Sequence, residues 1–276
     1  MTMIRMFTSV GTYVIIYDRR KMSLFTETAE DYLEMIGDWT DSLPAPIVEE
    51  HEGILVVRDD LIGGGSKMRF ADYLIQSQPE IDEWVYGSSP ATGYAQISLA
   101  HLCGRYDKKA VIFMADRAVE KRHPYQLQAI EAGAIMHWIP NGMLSVTEKR
   151  ARDYVAEDPK HRRLLPIGFD HPTVIASIIR VARNMDVCPD EVWTVGSSGT
   201  LTRGLQLAWQ GSSFHCVRVG HSGEYGKAKT YQSKYAFNKA TKVLPPFPSA
   251  PTYDAKAWEF IKDHASPGAL FWNVGA

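Results

Sequence analysis

Lys67 is the residue of this chain best placed for covalent chemistry. It follows Gly63, Gly64, Gly65 and Ser66, a glycine-rich bend after the β-prone run Ile54, Leu55, Val56, Val57. It also opens a segment in which Phe70, Tyr73 and Leu74 recur at helical spacing. A lysine delivered by such a bend at a helix start, behind Ser66 as the expected N-cap, is well placed to reach a buried carbonyl compound. Alone, the stretch would equally suit a surface lysine behind a flexible loop.

Two further loops could hold anions. In the first, Thr194 and Val195 end a strand and Gly196, Ser197, Ser198, Gly199 and Thr200 lead into a helix. Its glycines let backbone N–H groups turn toward a negative charge, the hydroxyls add donors, and the helix N-terminus adds a favourable field. It lacks the lysine of a nucleotide P-loop and the spacing of a dinucleotide fingerprint, so a small phosphate fits it better than ATP or NAD. The second loop, residues 87–93, could hold a substrate carboxylate. A tight turn and simple capping are the plain alternatives for these two loops. Together with Lys67 they make the parts of a pyridoxal-phosphate enzyme acting on an amino acid: an amine, a phosphate site and a carboxylate site.

The elements that must position these residues follow from periodicity. Residues 10–17 are β-rich, 29–39 have helical spacing and 43–46 are extended. Strands are expected at 54–57, 85–86, 110–114, 135–139, 164–167, 191–195 and 214–219. Between them, helices are expected at 94–103, 121–132, 147–155, 171–184 and 201–209. Such alternation predicts α/β architecture with parallel sheets flanked by helices. Residues 220–250 read as a loop near the site.

The chain has 276 residues, 45% of them hydrophobic and 22% charged, enough for one large domain or two lobes. A net charge of −2 does not call for nucleic acid or anionic membrane as a partner. No early apolar run is long enough for a signal peptide or a membrane span. Cys103, Cys188 and Cys216 fit neither a disulfide framework nor a metal knuckle, and a reducing cytoplasm is the expected home. His137, His161, His171, His215 and His221 show no metal-ligand spacing, so no metal site is expected. The basic residues between 117 and 163 are interspersed with acids and read as solvated helix faces, with a polyanion-facing patch as the alternative.

Four motifs in order, covering roughly residues 55–276, resemble the fold-type II pyridoxal-phosphate enzymes (the tryptophan synthase β-like group). Within them, the branch of 1-aminocyclopropane-1-carboxylate deaminase and D-cysteine desulfhydrase is the most similar. Arg58, Asp59, Asp60 and Leu61 followed by Gly64, Gly65, Ser66 and Lys67 look like the family's lysine motif. Leu165, Pro166, Ile167 and Gly168 followed by Pro172 resemble its Pro-x-Gly-Gly-x-x-Pro turn. Gly196, Ser197, Ser198, Gly199 and Thr200 match its phosphate loop. Tyr253, Asp254, Ala255, Lys256 and Ala257, then residues 270–275, resemble its Tyr-x-Gly-Lys-Ala and closing motifs.

The resemblance implies pyridoxal 5'-phosphate as cofactor, with Lys67 as the Schiff-base lysine and residues 196–200 around the phosphate. It places Asp254 at the pyridine nitrogen, where an acid sustains the electron sink. It also places Tyr225 beside the cofactor as a third catalytic candidate. Substrate contacts fall to Ser88, Ser89, Ala91, Thr92, Gly93 and Tyr94. The implied fold has two lobes, residues 1–71 plus 175–276 around the cofactor and 72–174 on the substrate side, in a homodimer. The family's substrate-loop Asn is absent, with Ala91 or Thr92 in its place, which argues for a changed substrate. Three functions remain open. One is a lyase, deaminase, isomerase or decarboxylase acting on a free amino acid. Another is an enzyme acting on an amino-acid-modified nucleotide or DNA base. The third is a non-catalytic relative of the family.

Overall fold

The computed structural model describes residues 2–8, 11–17, 28–140, 142–220 and 223–276. Val10 of the expected first strand and His221 lie outside the described residues.

Strands β1 (Thr2–Thr8) and β2 (Gly11–Tyr17) pair antiparallel as a two-stranded ribbon. Helix α1 (Ala29–Glu34) starts on a capping box between Thr28 and Asp31. The helical spacing read over 29–39 continues beyond α1 only as turns, because Gly37 takes a φ of +53°; Tyr32, Ile36 and Trp39 are still buried. Next come β3 (Val48–His51), β4 (Ile54–Arg58), α2 (Lys67–Phe70) and α3 (Asp72–Gln76).

Residues 83–165 alternate between strand and helix: β5 (Glu83–Tyr86), α4 (Ala95–Arg105), β6 (Lys109–Ala115), α5 (Pro124–Glu131), β7 (Ile135–Ile139), α6 (Leu144–Glu157) and β8 (Arg162–Leu165). The helix expected from 121 begins three residues later, where Pro124 occupies its first turn and His123 caps it. The remainder is α7 (Pro172–Arg183), β9 (Glu191–Gly196), α8 (Thr200–Ala208), β10 (Ser213–Arg218), β11 (Lys229–Gln232), α9 (Trp258–His264) and β12 (Leu270–Asn273). Strand β11 corrects the expectation of loop throughout 220–250: it adds a parallel edge strand beside β10.

Two sheets result. The order β7-β6-β5-β8 makes a wholly parallel sheet of four, and β11-β10-β9-β12-β4-β3 a sheet of six in which only β3 runs antiparallel. Strand residues alternate between two buried faces, as parallel sheets require. In the six-stranded sheet Val57, Val192, Leu270 and Trp272 join the core formed with α1, α2, α3 and α7. Val56, Trp193, Val195 and Phe271 pack on the other side against Phe247, Trp258 and Ile261. The first of these cores runs on into Trp84, Tyr86, Ala110 and Ile112 of the four-stranded sheet, so one apolar layer joins the sheets. Among the described residues, no helix is long and apolar enough to cross a membrane.

Candidate active site

Strand β4 lies inside the six-stranded sheet, and the chain leaving it turns through a short 3-10 segment (Asp59–Leu61) before reaching Lys67. Gly64 and Gly65 take φ values of +94° and +70°. A Cβ on Gly65 would run into the Val274 carbonyl and come within 3.0 Å of the Tyr94 ring, so only glycine lets the bend pass there. Ser66 does not cap α2. Its backbone is helical and its hydroxyl instead donates to Asp59 Oδ2 at 2.7 Å, while its N–H donates to Val274 O at 2.9 Å. The same buried carboxylate accepts from Arg69 Nε and from Trp272 Nε1, both at 2.9 Å. Asp59 therefore grips the residue before Lys67, the second residue after it, and the closing strand.

Lys67 itself is half-buried and lines a cavity of about 340 Å³ whose wall also includes Asp254. Its Nζ lies 5.9 Å from the centre of the Phe169 ring, with no hydrogen bond or ion pair to another described residue. Burial holds the Lys67 ammonium below its ordinary value, and the charge of Asp254 works against this. Asp254 is wholly buried in the 3-10 turn Asp254–Ala257. Desolvation drives its carboxyl well above the usual carboxylate range, tempered by Lys67 and by the nearby amides of Val274 and Gly275. Neither of its oxygens has a hydrogen-bond partner of good geometry. Two titratable groups thus face one cavity, each pushed toward its neutral form.

The glycine loop after β9 closes another side. Ser197 and Ser198 line the cavity, and Thr200 begins α8, with the Ser198 and Thr200 hydroxyls 2.9 Å apart. Gly196, Gly199 and Thr200 shape the loop behind them. A Cβ on Gly199, whose φ is +83°, would strike the Glu224 backbone. Gly168, in the turn that matches the Pro-x-Gly-Gly-x-x-Pro motif, has no room for a Cβ beside Ser198. Tyr225 stands behind the loop and outside the cavity wall, its hydroxyl donating toward the carbonyls of Gly196 and Ser197 at 3.3 Å. Arg203, which sequence reasoning missed, ties the loop from the same side through the carbonyls of Ser198 and Glu224 and through Asp170 Oδ1 at 2.5 Å.

Of the expected substrate residues, Ser88, Ser89, Thr92, Gly93 and Tyr94 line the cavity and Ala91 does not. The Ser89 and Thr92 hydroxyls are buried without partners, whereas Ser88 donates to Glu148 Oε1 at 2.5 Å. Tyr86, Tyr125, Leu144, Phe237 and Tyr253 also line the cavity, with the Tyr94 and Tyr125 rings edge-to-face at 5.3 Å. Of these only Tyr253 belongs to a motif; the others arrive on separate elements and only packing assembles them. The basic residues of 117–163 are in part paired with acids: Lys149 with Asp153, Arg152 with Glu148, and Arg162 with Glu83. Among the described residues no three His, Cys, Asp or Glu side chains gather closely enough to hold a metal ion.

This architecture has solved counterparts. An ACC deaminase homologue superposes with a TM-score of 0.73 at 14% identity, covering 88% of this chain and 94% of that one. Escherichia coli diaminopropionate ammonia lyase gives 0.61 at 11% identity, covering 92% and 89%. Serine racemase from Dictyostelium discoideum gives 0.59 at 14% identity, covering 90% and 97%. The chain has the fold of the fold-type II pyridoxal-phosphate enzymes. No family model matches it. In sequence it is similar to the glycyl-dTMP PLP-dependent decarboxylase of Pseudomonas phage M6, 24% identical over a match that covers 80% of this chain and 94% of the relative.

Proposed function

We propose that this chain is a pyridoxal-phosphate-dependent enzyme that acts at the α- or β-carbon of an amino-acid-like group. The observation that carries the reading is the Lys67 amine and the unpartnered Asp254 carboxyl facing one cavity, flanked by the 197–198 loop. The donor set suits the cofactor: an amine for its aldehyde, a crowded glycine and hydroxyl loop for its phosphate, and an orphaned buried acid for its ring nitrogen.

Bound there, the cofactor supplies an electron sink for charge developing on the substrate carbon. The remaining work belongs to the protein. Lys67, held below its ordinary pKa by burial, takes or returns a proton at that carbon. Asp254 keeps a proton at the pyridine nitrogen. The Ser89 and Thr92 hydroxyls, both without partners, donate to the substrate's acidic group. Rings of Tyr86, Tyr94, Tyr125 and Phe237 exclude water. Tyr225 and Arg203 brace the phosphate loop. In this reading residues 72–174 form the smaller, substrate-side lobe of a homodimer, and the free cysteines suit a reducing cytoplasm.

A second, narrower reading takes the amino-acid group as attached to a nucleotide or a DNA base, with loss of its carboxylate as the reaction. Its support is the phage relative named above and the loss of the usual Asn from the substrate loop. Lyase, deaminase and racemase chemistry on a free amino acid uses the same lysine and ring.

The test is borohydride reduction of the protein incubated with pyridoxal phosphate, followed by peptide mapping. The label is expected on Lys67 and absent from Lys67→Ala. Protein that takes up no cofactor, or takes it on another lysine with turnover intact, would overturn the assignment. Carbon dioxide release from glycyl-dTMP, set against free glycine and alanine, separates the two readings.

A further inference from the structure

Lys256 is completely buried, and no role in the reaction assigned above uses it. It sits two residues after Asp254 in the same 3-10 turn. Its Nζ donates to the carbonyl oxygens of Ala236 at 2.9 Å and Phe237 at 3.2 Å, and the Phe237 ring lies 5.9 Å from that nitrogen. Burying a lysine side chain completely is costly, and a Leu or Met would fill the space without that cost. The environment reflects it: burial draws the ammonium down to about 8. What the lysine secures is the backbone of a strap.

The strap, residues 234–240, joins β11 to the segment that returns toward the sheet. At one end Ser233 N–H donates to Arg218 O at 3.2 Å, and at the other Thr241 N–H donates to Pro251 O at 2.9 Å. Between these anchors, two polar side-chain ties to the body of the protein are observed among the described residues, beside the edge-on packing of the Phe237 ring against Tyr253 at 6.4 Å. One is the ion pair of exposed Lys234 with half-buried Glu259 at 2.8 Å, at the end of the strap and screened by water on the lysine side. The other is Lys256. The strap carries Phe237, which lines the cavity and packs over Gly220, where a Cβ would come within 2.8 Å of the ring. Phe237 is itself only half-buried, so it stands between cavity and solvent.

We propose that Lys256 is a positioning residue: its buried ammonium pins the middle of the strap and so sets Phe237 as the movable wall of the cavity. The turn that presents Asp254 to the cavity thereby also governs access to it. The inference rests on the cofactor reading above only for its second readout; the first is independent of it.

Hydrogen–deuterium exchange of residues 229–243, with the rate of pyridoxal-phosphate release, tests this on the whole chain. Lys256→Met is expected to speed exchange within 234–240 by about 10- to 100-fold, as loss of a charged hydrogen bond would. β9, β12 and β4 should stay at wild-type rates, cofactor release should quicken, and Lys256→Arg should restore both in part. Should Lys256→Met fail to fold, Lys256→Gln takes its place in the same comparison. Phe237→Ala should quicken cofactor release while 234–240 exchange as in the wild type. Unchanged exchange in the strap, or exchange raised evenly across the chain, would show that Lys256 is merely a core residue and end the proposal. A wild-type protein that binds no cofactor would sink the functional reading instead, with the exchange result still deciding this one.

Discussion

At the scale of residues, Lys67 and Asp254 are in tension with the fold that holds them. Burial holds the Asp254 carboxyl high in the folded chain, so folding takes up a proton that the unfolded chain releases above its ordinary value of 3.8. From that pH up to the folded value, stability falls as pH rises. Lys67 acts in the opposite sense, since its lowered folded value leaves stability rising until the ordinary lysine value of 10.5 is passed. Without cofactor, Asp254→Asn should match the wild type below about pH 4 and exceed it at pH 7 by roughly 1–3 kcal/mol, measured by urea unfolding. Its turnover with cofactor should drop by about 100-fold or more. Equal stability at neutral pH would mean that the carboxyl is not desolvated. Its place behind a glycine bend singled out Lys67, and the resemblance of the tail motif singled out Asp254. Such signals could not single out Tyr125, Phe237 or Arg203, whose parts depend on distant elements meeting at one wall. Nor could they tell that the Ser66 hydroxyl is engaged by Asp59 and unavailable as a cap.

Among elements, the strand–helix alternation from 83 to 219 was legible because two-sided burial writes continuous apolar runs for strands and a periodic stripe for helices. Two places that misled were decided by single backbone positions, Gly37 stopping α1 and Pro124 setting the start of α5, while β11 formed from a polar stretch through edge pairing with β10 and the stacking of Tyr231 on Trp193 and His215. The bend before α2 is the element junction most exposed to substitution. Gly65→Ala must adopt a φ of +70° and displace the Val274 carbonyl, with the Tyr94 ring crowded at 3.0 Å as well. The expected loss is about 2–5 kcal/mol, or a fall in Tm of about 5–15 °C, together with impaired cofactor uptake. Gly104→Ala, inside α4 with open space at its Cβ, should by contrast raise stability by up to about 1 kcal/mol. Thermal scans of the two variants decide the matter: similar behaviour would refute the close approach at residue 65.

The whole molecule joins a locally built sheet to one that is assembled across great chain distance. Strands β5 to β8 are all contained in residues 83–165, whereas β12 inserts between β9 and β4, pairing Leu270 with both Leu55 and Val192. The Trp272 indole reaches Asp59 across 213 positions of sequence. Contact order therefore predicts that β5, β6 and β8 gain protection before β4 and β9 during refolding, readable by pulsed exchange labelling. Simultaneous protection of both sheets would contradict it. On the ribosome the same insertion sets a waiting time. At about 5–20 residues per second, β4 stands with one edge unpaired for roughly 10–40 s before its neighbour emerges. Through that interval a nascent chain offers an apolar strand edge to any other strand it meets, so the yield of folded protein should depend on chaperones that cover it and on synthesis kept at low temperature.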